Sequence, residues 1–538
     1  MSTLVRIGSE GEANRQTLAL FHPSTRRNSR LPHEVLATIF IHCAHDYHFG
    51  LTGCPTRTAP SWVNVSYVCR YWRVVALSCP TLWTYVFITS QRWTEELLVR
   101  SEQASLKLRV SLLFADDEPW LLASLEKAME HMERIQQLRL ELPALCAQRI
   151  LSKLYPRAPR LQNLEISLGS CSLESWSSVL FDGDTPSLHT LELLHCPVPW
   201  FSLKLSSLTT LSLGHVPVQF QQSTEELLAT LSCMQDLAHL YLIHALPRSR
   251  EFISSPAFKT FQKIDLPRLS RLEIDDVLSH LIAFLSCVNI PSNTKVKLEC
   301  DLDDYDASED DFSLLSSILA RRFCASADPA LSNPTIRSLV IERDGNVAIF
   351  TFSALDREHE PCVSNPYMSI TDSGCNIPLQ IYLYCDQRQI INERYISDIC
   401  CSMPLMDVQN LHVVTPPISV DFWKRILGYL QDLRYLKLSR GYMPKLASLL
   451  SFTAHENPVE HGGGDLNTYA PALEEVELYR IALMIDPRVS NTRILGSGDL
   501  SSLQDALSTR KDPQVRLKIF ACVEYHTADD REFEGGDN

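Results

Sequence analysis

LPHEVLATIFIHCAHDYHFGLTGCPTRTAPSWVNVSYVCRYWRVVALSCPTLWTYVF, residues 31–87, is the stretch that decides how the chain begins to fold. It holds two apolar, periodic segments around a polar insert that bears prolines. In the first, Val35, Ile39 and Cys43 recur every fourth residue with Leu36 and Phe40 beside them, so a helix gathers all five onto one broad apolar face. Pro32 suits the first turn, and Glu34 complements the positive end of the helix dipole. In the second, Val65, Val68, Cys69, Trp72, Val75 and Ala76 follow helical spacing, with Arg70 and Arg73 off the centre of the stripe. Pro80 stops that helix, and Leu82 with Trp83 begin a short third turn.

Leu31-Pro32, Glu34-Val35-Leu36, Ile39-Phe40, Val68-Cys69, Trp72-Arg73 and Leu82-Trp83 together resemble the F-box pattern. Ala76 to Trp83, ALSCPTLW, is similar to the large fungal group of that family. The resemblance implies a three-helix F-box over 31–90 that docks on a Skp-family adaptor of a cullin ligase. Leu31, Pro32, Leu36, Ile39, Val68, Trp72 and Leu82 would then be contacts or their immediate supports. One departure is the insert Ala44 to Ser61, which lengthens the first connection and alters one rim of the partner surface. Closure entropy grows only logarithmically with loop length, so the helices are still expected to pair.

Beyond residue 91 a leucine triplet returns. Ile135-x-x-Leu138-x-Leu140 is followed by triplets starting at Leu161, Leu188, Leu208, Leu237 and Leu269, then at Ile336, Val408, Leu433 and Leu473. Weaker members are Val296-x-Leu298, Ile381-x-Leu383 and Val515-x-Leu517-x-Ile519. The early starts lie about 20 to 32 residues apart, near the range of leucine-rich repeats. The last two apolar positions alternate, so in a strand both point inward, and the first closes the preceding turn over the same core. One such strand cannot bury its face alone. Stacked strands predict an irregular leucine-rich-repeat solenoid over 91–525, α/β in class, with an inner parallel sheet and outer helices such as Ser223 to Met234.

Leu188 through Cys196 to Val198 meets the full repeat signature, whereas Gly169, Val216, Ala245, Val277 and Ile481 stand where its side-chain ladder would be. The array thus resembles the irregular repeats found downstream of F-boxes. Gln162, Glu165, His189, Glu192, Thr209, Ser212, His239 and Tyr241 alternate with the leucines. They either line a target-binding face or are plain solvent-facing side chains. Ahead of the triplets, a helix is expected from Trp93 to Glu102, a strand at Leu106 to Val110 and a helix from Asp116 to Gln136. Regularity fails near 343–406, where Asn346 to Phe352 and Asn376 to Tyr384 look like strands. A glycine-bearing loop is expected near 455–470, and the tails 1–30 and 526–538 are expected to be disordered.

A net charge of −15 over 538 residues argues against a nucleic-acid partner, which needs a concentrated basic face; Arg26, Arg27 and Arg30 make only a short run. Seventeen cysteines without regular spacing read as free thiols of a reducing compartment, cytoplasmic or nuclear. The opening residues have no apolar signal core, and Val277 to Ile290 is too short and too broken by serine and histidine to span a bilayer, so no membrane is expected. Asn64-Val65-Ser66 fits a glycosylation sequon that is silent without secretion.

His42, Cys43, His45, His48 and Cys54 are dense enough to suggest zinc but lack a Cys-x-x-Cys pair. Asp301 to Asp311 is acidic like a calcium loop, without its glycine and glutamate in register. His461-Gly462-Gly463-Gly464 resembles an esterase oxyanion loop, and no Gly-x-Ser-x-Gly elbow or phosphate-binding glycine motif accompanies it. The expectation is therefore no metal, no cofactor and no enzyme, but the substrate-recognition subunit of an SCF-type cullin-RING ubiquitin ligase with an unknown target protein. The alternative is a ligase-independent repeat scaffold.

Overall fold

Pro32 opens the first helix: its carbonyl accepts the Leu36 N–H at 3.1 Å in the computed structural model. The structure describes residues 31–49, 61–86, 88, 90–112, 119–169, 180–248, 262–302, 309–323, 335–344, 347–353, 379–385, 393–414, 419–440, 446–451, 469–479, 482–484, 494–510, 514–520 and 523–525. The tails, most of the first insert and most of the 455–470 loop lie outside these. The chain forms two units, Met1–Leu138 and Arg139–Asn538.

In the first unit, helix α1 (His33–Phe49) runs well into the stretch expected to be loop. The second apolar segment is not one helix. It is a 3-10 turn, Ser61–Tyr67, followed by α2 (Arg70–Leu77). Cys69 causes the break: its backbone is extended, and its Sγ accepts the Trp72 N–H at 3.4 Å as the cap of α2. Pro80 then starts the 3-10 turn Pro80–Trp83.

Leu36, Phe40, Ala44, Trp62, Val63, Val75, Ala76, Leu82 and Trp83 share one core with Leu97 of α3 (Gln91–Arg100). Trp83 sits at its centre. The indole N–H donates to the Ala76 carbonyl at 2.8 Å. Trp62 and Trp93 lie 5.4 and 6.4 Å from its ring, and the Arg100 guanidinium 4.3 Å over it.

Strands β1 (Tyr85–Val86), β2 (Leu106–Ser111) and β3 (Ile135–Leu142) lie side by side in that order. Between the last two is α4 (Pro119–Met129), shorter than the Asp116 to Gln136 helix expected. A 3-10 turn, Met132–Arg134, ends it, where buried Arg134 donates to Ser101 Oγ at 2.8 Å and to the Ala104 carbonyl at 3.2 Å.

The second unit is a large, mostly parallel sheet. Its strands are β4 (Asn163–Leu168), β5 (Thr190–Leu194), β6 (Thr210–Gly214) and β7 (His239–Ile243), then β9 (Arg271–Val277) and β11 (Lys295–Asp301), with the short pair β8 (Ile264–Asp265) and β10 (Val288–Asn289) apart. After β12 (Ser338–Asp344), β13 (Val347–Ser353) and β14 (Leu379–Tyr384) come β15 (Asn410–Val414), β16 (Tyr435–Ser439), β17 (Glu475–Tyr479) and β20 (Arg516–Phe520). A small separate sheet holds β18 (Ala482–Met484), β19 (Ile494–Gly496) and β21 (Val523–Tyr525).

Register puts the leucines in rows. Leu164, Leu191, Leu211, Leu240, Leu272, Val296 and Leu379 stand opposite one another, as do Ile166, Leu193, Leu213, Leu242, Ile274, Leu298 and Ile381. All are buried. The first leucine of each triplet closes a turn: Leu161, Leu188, Leu208, Leu237 and Leu269 each donate N–H to the carbonyl three residues back, at 3.1–3.2 Å.

Two expectations need correction. The sheet is not parallel throughout, because β13 runs antiparallel to both β12 and β14, in the order β11-β14-β13-β12-β15. Only Gly345 and Asn346 separate β12 from β13, and a link that short can only make a hairpin. Nor does every connection hold a helix. Those before and after β5 show only the 3-10 turns Leu180–Gly183 and Trp200–Ser202 among their described residues, whereas the longer link after β6 forms α5 (Thr224–Ser232), capped reciprocally by Ser223 and Glu226. The apolar run from Val277 becomes α6 (Leu278–Cys287) and β10, and no described helix is long and apolar enough to cross a membrane.

Trp83→Ala is expected to cost the first unit about 3–5 kcal/mol, and Trp83→Phe, which mainly orphans the Ala76 carbonyl, about 1–3 kcal/mol. Denaturant unfolding followed by tryptophan fluorescence of the purified chain checks both the order and the size.

Candidate functional site

The broad stripe expected on α1 is two stripes. Leu36, Phe40 and Ala44 face the core, while Val35, Ile39 and Cys43 are exposed. The same division occurs on α2, where Val75 and Ala76 are buried but Val74 is 63% and Leu77 37% exposed. Two bonds pin the start of α1 against α2: Tyr71 donates its hydroxyl to the Leu31 carbonyl at 2.9 Å, and His33 Nε2 meets Ser78 Oγ at 2.9 Å. Phe40 and Trp72 add a tilted ring contact at 5.1 Å. With the core filled, Leu31, Val35, Ile39 and Val68 remain 40–46% exposed. A helix that spends this many apolar side chains on water is unusual for a finished surface. Arg70 and Arg73 are exposed beside them, and the Arg73 guanidinium lies 5.9 Å from the Tyr67 ring.

Of the residues expected to touch a partner, Leu31, Pro32, Ile39 and Val68 are exposed and Trp72 is half-buried. Leu36 and Leu82 are core. They support the surface from beneath. Val74 and Leu77 were not in that set, although their spacing of three around the buried Val75 and Ala76 is a signal that sequence alone carries.

Residues 28–89 match the F-box-like family model. The two-helix surface therefore lies within an F-box-like domain. No curated protein matches the chain.

The strand positions expected to face a target fall into three rows of the second unit. Gln162, His189 and Thr209 stand at strand entrances, each carbonyl accepting two N–H groups from the next strand's start. His239 belongs to the next row with Thr190 and Thr210, whose hydroxyl lies 3.3 Å from its Nδ1. Glu165, Glu192, Ser212 and Tyr241 form the third row in register, which continues through Glu273 and Lys297. These last two are the middle residues of Leu272-x-Ile274 and Val296-x-Leu298, so the same alternation places them on this face.

Arg139 bridges Glu165 at 2.8 Å and Glu141 at 3.0 Å. Glu192 has no hydrogen bond or ion pair among the described residues, and burial, then the neighbouring Glu165, push its carboxyl above the usual range against the pull of Arg139. The Tyr241 hydroxyl is also pushed up, chiefly by burial, while the Arg271 guanidinium lies 5.7 Å from its ring.

His42, Cys43 and His45 are exposed on α1, while the His48 side chain and Cys54 lie outside the described residues. Among the described residues no three His, Cys, Asp or Glu side chains could hold a metal ion. Most of the Asp301 to Asp311 stretch and all of His461 to Gly464 also lie outside them.

A carboxyl whose folded value is raised weakens the fold once pH climbs past its unfolded value. Below that value it is protonated in both states and costs nothing. Glu192→Gln is therefore expected to stabilise the chain slightly at pH 7, by under about 1 kcal/mol after solvent screening, and to have no effect near pH 3. Paired urea melts at the two pH values measure the difference.

Proposed function

We propose that this chain is the target-recognition subunit of an SCF-type cullin-RING ubiquitin ligase. The exposed apolar set on α1 and α2, lying within the F-box-like match over an already filled core, carries the reading. Leu31, Pro32, Val35, Ile39, Val68, Val74 and Leu77 would seat a Skp-family adaptor, with Leu36, Trp72 and Leu82 holding them in place. The second unit would serve as an irregular leucine-rich-repeat solenoid that holds a target protein. Its contribution is proximity and orientation, with the transfer chemistry performed by other subunits. The reading puts the chain in the cytoplasm or nucleus, where its described free cysteines stay reduced.

Each exposed apolar side chain is a test that leaves the core alone. Ile39→Asp and Val74→Asp are each expected to weaken adaptor binding at least about tenfold, roughly 1.4 kcal/mol, with less than about 0.5 kcal/mol lost in stability. Leu36→Ala should instead unfold the domain by about 2–5 kcal/mol. Titration of the intact chain with purified Skp-family adaptor, alongside a denaturant melt of each variant, separates the two effects. Absence of binding by the unaltered chain, or binding indifferent to both aspartates, returns the chain to the class of ligase-independent scaffolds.

A further inference from the structure

Three consecutive strands end in the same way. His195, His215 and His244 directly follow β5, β6 and β7, and their backbones are left-handed, with φ of 52°, 49° and 45°. Histidine is among the few residues besides glycine that visit this region readily. Each N–H extends the ladder by one bond onto the next strand: His195 to the Gly214 carbonyl at 2.8 Å, His215 to Ile243 at 2.6 Å and His244 to Asp275 at 2.6 Å.

Because the exits are in register, the rings stack. His195 and His215 lie 4.6 Å apart with 8° between their planes, and His215 and His244 lie 5.0 Å apart at 33°. Asp275 of β9 stands at one end, its Oδ1 3.9 Å from His244 Nε2, and it also accepts the Tyr384 hydroxyl at 2.7 Å. The next carboxylate, Asp276, is occupied by His280 at 2.9 Å and by the N–H groups of Leu246 and Val277. Neutral imidazoles pack well at such distances, whereas charged ones repel, and a single shared anion at one end cannot offset three cations. Burial, then the two flanking rings, hold the His215 imidazole below the ordinary histidine range.

We propose that the His195–His215–His244 stack is an acid-sensitive latch, in which protonation of adjacent rings drives them apart and loosens the exits of β5, β6 and β7. The same strands carry Glu192, Ser212 and Tyr241, each three residues before a ring of the stack. The latch therefore acts on the strand ends that hold this row, and it does so whether or not an adaptor binds the other unit.

Arg440 is an internal control. It leaves β16 with φ of 58° and donates its N–H to the Tyr479 carbonyl at 3.3 Å, with arginine in place of histidine. Hydrogen exchange of the full chain at pH 7.5 and 5.0, each rate normalised to its intrinsic chemical rate, sets the acid point well below the ordinary imidazole value of about 6.5, as the lowered His215 value requires. Acid is expected to lower protection about tenfold at residues 195, 215 and 244 and less than about twofold at 440. In His215→Asn, which retains a residue tolerant of left-handed backbone, the acid loss at 195 and 244 should shrink to the level of 440. Should that variant lack protection already at pH 7.5, the double variant His195→Asn/His244→Asn, which leaves His215 without a ring neighbour, reads the same difference at 215. Unchanged protection in the unaltered chain, an equal loss at 440, or an undiminished loss in the histidine variants overturns the latch.

Discussion

A strand of five residues, such as β5, β6 or β7, has too little apolar surface to hold a fold, so the second unit depends on the register in which neighbours meet. A slip of one residue would turn every leucine of a row to the other face. Two recurring devices fix the register. The first leucine of a triplet closes a tight turn onto the carbonyl three residues back, and the carbonyl at the strand entrance takes two N–H groups from the next strand's start. The first depends only on the triplet and its flank, and the second joins the same flank in successive units. Their repetition aligns Leu191, Leu211 and Leu240 although the segments between them differ in length and structure.

Many positions that alternate with the leucines carry charge. Most of that charge is balanced nearby: Arg139 by Glu165, Lys437 by Glu477 at 3.3 Å, and Lys518 by the buried Glu475 at 2.9 Å. Such pairs add little stability where solvent reaches them, but they keep an acidic chain from repelling itself across strands spaced by less than a Debye length. Glu192 lacks this compensation among the described residues. Its carboxyl stands in register beside Ser212 and, one strand further, Tyr241.

The triplets were legible because their signal is repeated and has period two. The domain at the front was legible because its motif is met at separated places. What escaped had a different physical origin. Periodicity locates an apolar stripe but not its width, so Val35 and Leu36 were assigned to one face although only Leu36 is covered. The kink at Cys69 depends on a thiol acting as a helix cap, which helical spacing alone cannot show. The reversed strand β13 has its signal in Gly345-Asn346, a hairpin dipeptide that leucine periodicity does not register. The connection after β5, residues 195–209, holds only a 3-10 turn, which the leucine spacing does not reveal.

Exposed apolar residues occur in both units, and they differ in arrangement. Leu145, Val218 and Met406 are exposed at separate places along the second unit, and isolated apolar side chains are common on any folded protein. On α1 and α2 the exposed residues recur at helical spacing on elements whose opposite sides are fully packed around Trp83. No rearrangement of that core could bury Val35 or Ile39 without exposing Leu36 or Phe40, because the residues point in different directions from one rigid helix. Only another surface can cover them. The same tryptophan core therefore fixes which side chains of the domain stay outside it.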